Sequence, residues 1–202
     1  MSDSTRHELS ALVGSRICHD LISPLGAVGN GLELLNLTGK APEGAPEMEL
    51  IAQSVEHANA RLRFFRIAFG AAREDQVIAR NELASVLREN FNDGRIGLKA
   101  DLPAEIPRRD AKLALLLILG LVNALPQGGT IRLAEAGGKW RLSGAGPQLR
   151  VDPAHWRKLD HPSPGTPLSA AEVQFALLPT AAAEAGRAPF VDLRDDKIEI
   201  AF

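Results

Sequence analysis

Ser15-Arg16-Ile17-Cys18-His19-Asp20-Leu21-Ile22-Ser23-Pro24-Leu25 is the stretch on which the rest of this chain depends. Read outward, Ile17, Leu21, Leu25, Val28, Leu32 and Leu35 recur at steps of three and four, the spacing of one apolar face on a helix and of a bundle seam. His19 is two residues from both Ile17 and Leu21, so it turns away from that seam. Its own side carries Ser15, Ser23, Gly26 and Asn30, all small or polar, which leaves a histidine on a low-relief strip open to close approach. Gly26, Gly29 and Gly31 each cost a helix interior roughly 1 kcal/mol relative to alanine. Pro24 removes a backbone donor, which predicts a local bend. A helix built only for stability avoids these residues. Either two helices pack closely on them, or a surface is being kept clear for a partner.

The first helix is expected from Ser4 or Thr5, where Thr5 and Glu8 have the spacing of a capping box, to about Leu37. Gly39, Pro42, Gly44 and Pro46 mark a loop. A second helix is expected over residues 46–73, with Met48, Ile51, Val55, Ala58, Leu62, Phe65 and Phe69 as an unbroken heptad stripe. Two long amphipathic helices on a short loop form an antiparallel hairpin. A lone hairpin covers only one side of each seam. Two hairpins closing into a four-helix bundle remove that defect, which predicts a homodimer.

From about Asp75 the character changes. Residues 81–91 read as a shorter helix capped by Asn81, 96–102 as a strand ended by Pro103, and 110–125 as a buried apolar helix ended by Pro126 and Gly128-Gly129. Strands are expected at 130–134, 139–143 and 148–151. A short helix at 153–159, a proline-rich loop at 161–166, a helix at 169–185 capped by Gly186, and a hairpin of 189–194 with 197–202 follow. Helices interleaved with a mostly antiparallel sheet make a two-layer α/β sandwich. The fold class is therefore α plus α/β: an N-terminal helical hairpin over residues 1–75 forming a dimeric four-helix bundle, then a sandwich over 76–202.

The 202 residues suffice for one large domain or two small ones, and the net charge of −2 with no basic block argues against nucleic-acid binding. The single cysteine, Cys18, excludes an intrachain disulfide and is read as a helix-packing residue. One Cys and five scattered His give no metal-ligand spacing. No apolar run is long enough for a membrane span and the N-terminus lacks an apolar signal core, so no membrane partner and a cytoplasmic location are expected.

The run His19-Asp20-Leu21-Ile22-Ser23-Pro24-Leu25 resembles the H-box of two-component histidine kinases, and Arg16 to Leu35 resembles more closely the ChpT-type histidine phosphotransferases. The element order of the second half is similar to the ATP-binding domain of histidine kinases, so the sandwich is expected to be histidine-kinase-like. Leu115 to Ala124 resembles that domain's N-box helix, with Asn123 where the family places a magnesium-ligating Asn and Leu119 where it places another Asn. The adenine box requires an Asp before Gly-x-Gly, whereas Gly144-Ala145-Gly146 follows Leu142 and reads more simply as a turn after a strand. His161 to Pro167 stands where a glycine-rich phosphate loop is usual, and proline there removes the N–H groups that cradle phosphates.

The resemblance thus implies a phosphotransferase with a degenerate, non-ATP-binding domain. A receiver domain of a hybrid kinase would pass an aspartyl phosphate to His19, and His19 would pass it to a response regulator. Phosphoryl transfer depends on positioning and charge neutralisation, and the receiver would bring its own Mg²⁺, so no cofactor of the chain's own is expected. Asp20 is the candidate orienter of the imidazole. Arg16 is placed to meet the phosphate, and Ser15, Ser23, Gly26 and Asn30 line the approach. Two other readings stay open: a non-catalytic dimeric scaffold or inhibitor that binds kinases or response regulators, and an active histidine kinase.

Overall fold

A computed structural model describes residues 3–38, 46–91, 94–157, 159 and 168–202. Helices α1 (Asp3–Thr38) and α2 (Pro46–Ala68) form the hairpin. Then come β1 (Val77–Ala79), α3 (Arg80–Asn90), β2 (Ile96–Asp101), β3 (Glu105–Pro107), α4 (Arg108–Ala124), β4 (Gly129–Ala136), β5 (Lys139–Ala145), α5 (Pro153–Arg157), α6 (Val173–Ala185), β6 (Phe190–Leu193) and β7 (Lys197–Ala201). A single 3₁₀ turn, Ala170–Glu172, leads into α6. The five-stranded sheet has the order β2-β4-β5-β7-β6, with β2 and β4 parallel and the other neighbours antiparallel; β1 and β3 pair separately. The expected two-layer arrangement is what forms.

The sequence explains most of these elements. Every residue of α4 from 113 to 121 is buried, as expected of a helix that is apolar all round. It packs against α2, α6 and strand β5. Gly137 and Gly138, both at positive φ (61° and 80°), make the two-residue turn between β4 and β5, a turn that L side chains enter only at a cost. Gly186 caps α6 in the left-handed region at φ 64°. Asp110, 3% exposed in the first turn of α4, accepts from Arg187 Nε (3.1 Å) and Nη2 (2.7 Å) and from Trp140 Nε1 (3.2 Å), tying α4, β5 and the chain beyond α6 together.

The hairpin does not end where the second core begins. Phe64, Phe65, Ile67 and Ala68 of α2 belong to the same buried cluster as Leu83, Leu87 and Ile106. Asn90 Nδ2 donates to the Ala60 carbonyl (3.0 Å), Arg108 Nη2 donates to the Arg66 carbonyl (2.7 Å), and Arg63 pairs with Glu89. The expected division at residues 75 and 76 lies in the segment between α2 and β1, with continuous packing across it.

Several expectations are corrected. Helix α1 is already under way at Asp3, so Thr5 is not a cap. It also runs unbroken through Pro24. Helix α2 stops at Ala68 rather than 73, because the chain turns at Gly70, where a Cβ would lie 2.2 Å from the Arg66 carbonyl oxygen. Asn81 lies inside the first turn of α3, whose cap is the extended Ala79. Residues 148–151 form no strand: the Arg150 N–H goes instead to the Ala124 carbonyl (3.0 Å) at the end of α4. Gly144 and Ala145 are not a turn but the end of β5, paired with Ile131 and Thr130. A Cβ at Gly144 would meet Leu121 Cδ2 at 3.0 Å, so glycine lets the sheet approach α4. Strands β1 and β3 were not foreseen, since three residues carry no periodicity. The expected loops at 39–45 and 161–166 lie outside the described residues.

Candidate functional site

Helix α1 carries the site on the side away from α2. Ser15, His19, Ser23, Gly26 and Asn30 are all exposed, one strip along the helix. The His19 side chain is 85% exposed. Its Nδ1 lies 3.2 Å from Asp20 Oδ1. A carboxylate oxygen only accepts, so this contact draws the Nδ1–H tautomer and leaves Nε2 with its lone pair facing solvent. A bare imidazole nitrogen on an open surface is a nucleophile accessible to a large partner.

Asp20 and Arg16 are not solvated charges, being 13% and 12% exposed. Arg16 Nε donates to Asp20 Oδ2 (3.2 Å), and its Nη1 reaches the Ala171 carbonyl (3.0 Å) in the turn before α6. The guanidinium is thus turned toward the second domain, not toward the strip that a phosphate would approach. Pro24 lacks the N–H that would have bonded the Asp20 carbonyl. Cys18, read as a packing residue, is exposed in the single chain. Among the described residues no three His, Cys, Asp or Glu side chains converge on a metal position, and no helix is long and apolar enough to cross a membrane.

The second domain holds a cavity of about 330 Å³ lined by Gly120, Asn123, Arg150, His155, Trp156 and Phe175, where the N-box resemblance would put a nucleotide. Several of its described residues are already engaged with one another. The Asn123 amide donates to the Ala171 carbonyl (2.7 Å). A Cβ at Gly120 would stand 3.1 Å from Trp156 and 3.4 Å from Phe175, so aromatic rings already press on the helix there. His155 stacks on Phe175 with centroids 5.1 Å apart. Leu119 and Leu142, at positions where polar groups would be needed, are both 2% exposed and part of the core.

Comparison with known proteins bears directly on this site. A family model described as the histidine phosphotransferase C-terminal domain matches residues 80–197. The protein phosphotransferase ChpT of Brucella abortus (strain 2308) is 37% identical over 185 residues, covering 89% of this chain and 87% of its own. The chain belongs to the ChpT-type histidine phosphotransferases. A bacterial phosphotransferase of solved structure superimposes with a TM-score of 0.78 at 32% identity, over 100% of this chain and 97% of that one. The two-layer sandwich of the second half is thus a fold shared with that phosphotransferase, and the protein is a phosphotransferase of a two-component phosphorelay, with kinases and response regulators as its class of partner.

Within this histidine phosphotransferase the structure adds what the sequence did not supply. Ala171 and Asn123 come together with Arg16 although 155 and 48 positions separate Ala171 from its two donors. Asn123 had a signal, its place at the end of the apolar N-box run. Ala171 acts through its backbone and had none. A groove of about 880 Å³ also opens beside the His19 strip, bordered by Asp20, Ser23, Ser54, His57, Arg61 and Asn90.

Proposed function

We propose that His19 is the phosphoryl carrier of this phosphotransferase. The observation that carries this is the exposed imidazole with Nδ1 against Asp20 and Nε2 free. Nε2 attacks the phosphorus of a receiver's aspartyl phosphate in line. The N–P bond forms as the acyl phosphate P–O bond breaks, and the aspartate leaves as carboxylate. In the second step the carboxylate of another receiver attacks the phosphohistidine, and the group departs with neutral His19 regenerated. The Mg²⁺ that neutralises the phosphate belongs to the receiver, and the chain itself binds no ATP. Asn123 turned to Ala171, the Gly120–Trp156–Phe175 packing and apolar Leu142 support that reading. Ser15, Ser23, Gly26 and Asn30 form the flat strip on which the cytoplasmic receiver seats.

The working form is a homodimer. Leu25 (59% exposed) and Leu32 (51%) on α1, and Met48 (46%), Val55 (43%) and Leu62 (48%) on α2, are spaced by whole heptads, and the single chain leaves all five uncovered. Cys18 extends the α1 row by one more heptad. A second copy covers both rows in a four-helix bundle. His19→Gln tests the carrier. Label transfer from a phosphorylated receiver should vanish, while receiver affinity and melting temperature stay within error of the parent. A variant that still accepts label moves the carrier elsewhere.

A further inference from the structure

The Ala171 carbonyl is a junction. It accepts Asn123 Nδ2 from the end of α4 (2.7 Å) and Arg16 Nη1 from α1 (3.0 Å). Arg16 continues through Nε to Asp20 Oδ2 (3.2 Å), and Asp20 continues through Oδ1 to His19 Nδ1 (3.2 Å). Polar contacts therefore run without a gap from the second domain to the imidazole. The guanidinium is a rigid planar fork, so holding Nη1 fixes the direction of the Nε–H. That N–H occupies one carboxylate oxygen and leaves the other facing His19. The chain also changes character along its length: Arg16 and Asp20 are 12% and 13% exposed, against 85% for His19. The covered part supplies order, and only its end is offered to a partner.

We propose that Arg16, the Ala171 carbonyl and Asn123 are a positioning chain through which the kinase-like domain sets the tautomer and orientation of His19. Arg16 acts through Asp20 and touches no phosphate. Asn123, at the place of a nucleotide-site residue, is committed to holding the turn before α6 in register with α1. The domain thus serves the nucleophile directly. Pre-aligning a reacting group matters because a misplacement of about 1 Å can cost on the order of a hundredfold in rate. The inference rests on His19 as carrier for its effect on transfer, but not for its effect on the imidazole.

The full-length protein, labelled with ¹⁵N in histidine, gives a direct readout through two-bond ¹H–¹⁵N correlation, with His19 assigned by its loss in His19→Gln. The parent should show His19 as the Nδ1–H tautomer. Asn123→Ala should shift His19 toward the Nε2–H form while His7 and His57, which take no part in this network, keep their signals. Arg16→Lys, which keeps the charge and loses the fork, should do the same. In both, transfer from a phosphorylated receiver should slow by about tenfold, within the range expected for misaligned groups, with receiver affinity unchanged. A purely structural role would disturb many signals or none, and would not single out His19. An unaltered His19 tautomer in both variants overturns the proposal. If the parent accepts no label at all, the carrier assignment fails, and the tautomer result still decides the positioning chain.

Discussion

The two halves of the molecule bury their apolar residues in different ways. In the second half, α4 is enclosed along residues 113–121, and Trp140, Leu142, Ile198 and Ile200 close the sheet over it at 2% exposure or less. In the hairpin, Gly31 is the only buried residue among the described ones of α1, and its Leu25, Leu32, Leu34 and Leu37 are 46–78% exposed. One half encloses its core within a single chain, whereas the other leaves apolar rows uncovered, the contrast on which the proposed dimer rests. Burying a leucine is worth about 1.5–3 kcal/mol, so an uncovered heptad row on both helices is a strong drive toward a second copy. The halves are nevertheless joined: the last turns of α2 lie in the second core, and Arg16 reaches across to Ala171.

The contrast breaks most sharply at the hairpin surface. Replacing Val55 and Leu62 together with Glu puts two charges on the uncovered row of each protomer. We expect light scattering coupled to gel filtration to show full conversion of a dimer to a monomer, with the circular dichroism of the sheet domain intact. A dimer that persists would place the interface elsewhere. Next in size is the second core. Asp110→Ala leaves Trp140 Nε1 and Arg187 Nε and Nη2 without their acceptor, where Asp110 now holds that guanidinium above its ordinary pKa through hydrogen bonding. Arg187 retains 28% side-chain exposure, so the loss should be near 3 kcal/mol, the low end for removing one partner of a buried pair. Urea titration should register it, with dimerisation unchanged.

The smallest effect is at the joint. Burial pushes the Glu172 carboxyl up, but hydrogen bonds from the Ser169 hydroxyl and N–H, with His155 nearby, outweigh it and hold it below the ordinary range. A lowered folded pKa stabilises above the ordinary glutamate value of roughly 4.3 and loses that contribution as pH falls through the folded value. Ser169→Ala should therefore lower stability by about 1 kcal/mol at pH 7. Thermal melts should show the difference shrinking below about pH 4. A gap that stays constant with pH would remove Glu172 from the cap.

What could be read from sequence follows from the same physics. The two long helices and α4 were legible because sustained periodicity or an unbroken apolar run is a signal that grows with length. His19 stood out as the candidate carrier because Asp20, Ser23, Pro24 and the small-residue strip coincide on one helix. Arg16 was found as a residue but its direction was not, since the Ala171 carbonyl it meets is a backbone group 155 positions away. Gly144 and Gly146 read as a turn because glycine marks both turns and close packing. Only the structure distinguishes them, with Leu121 and the Gly128 carbonyl in the way of any Cβ. The end of α2 was overrun because Phe69 continues the heptad, while Gly70 decides where the helix stops.

The central claim is that this family member takes its phosphoryl group from a receiver and not from nucleotide. The direct measurement is label transfer to the parent protein from labelled MgATP alone and, separately, from a labelled receiver domain of a hybrid kinase. The account predicts an acid-labile label on the protein from the receiver and none from MgATP. Label arriving from MgATP alone would contradict it and would show that the cavity beside Asn123, Trp156 and Phe175 admits nucleotide after all.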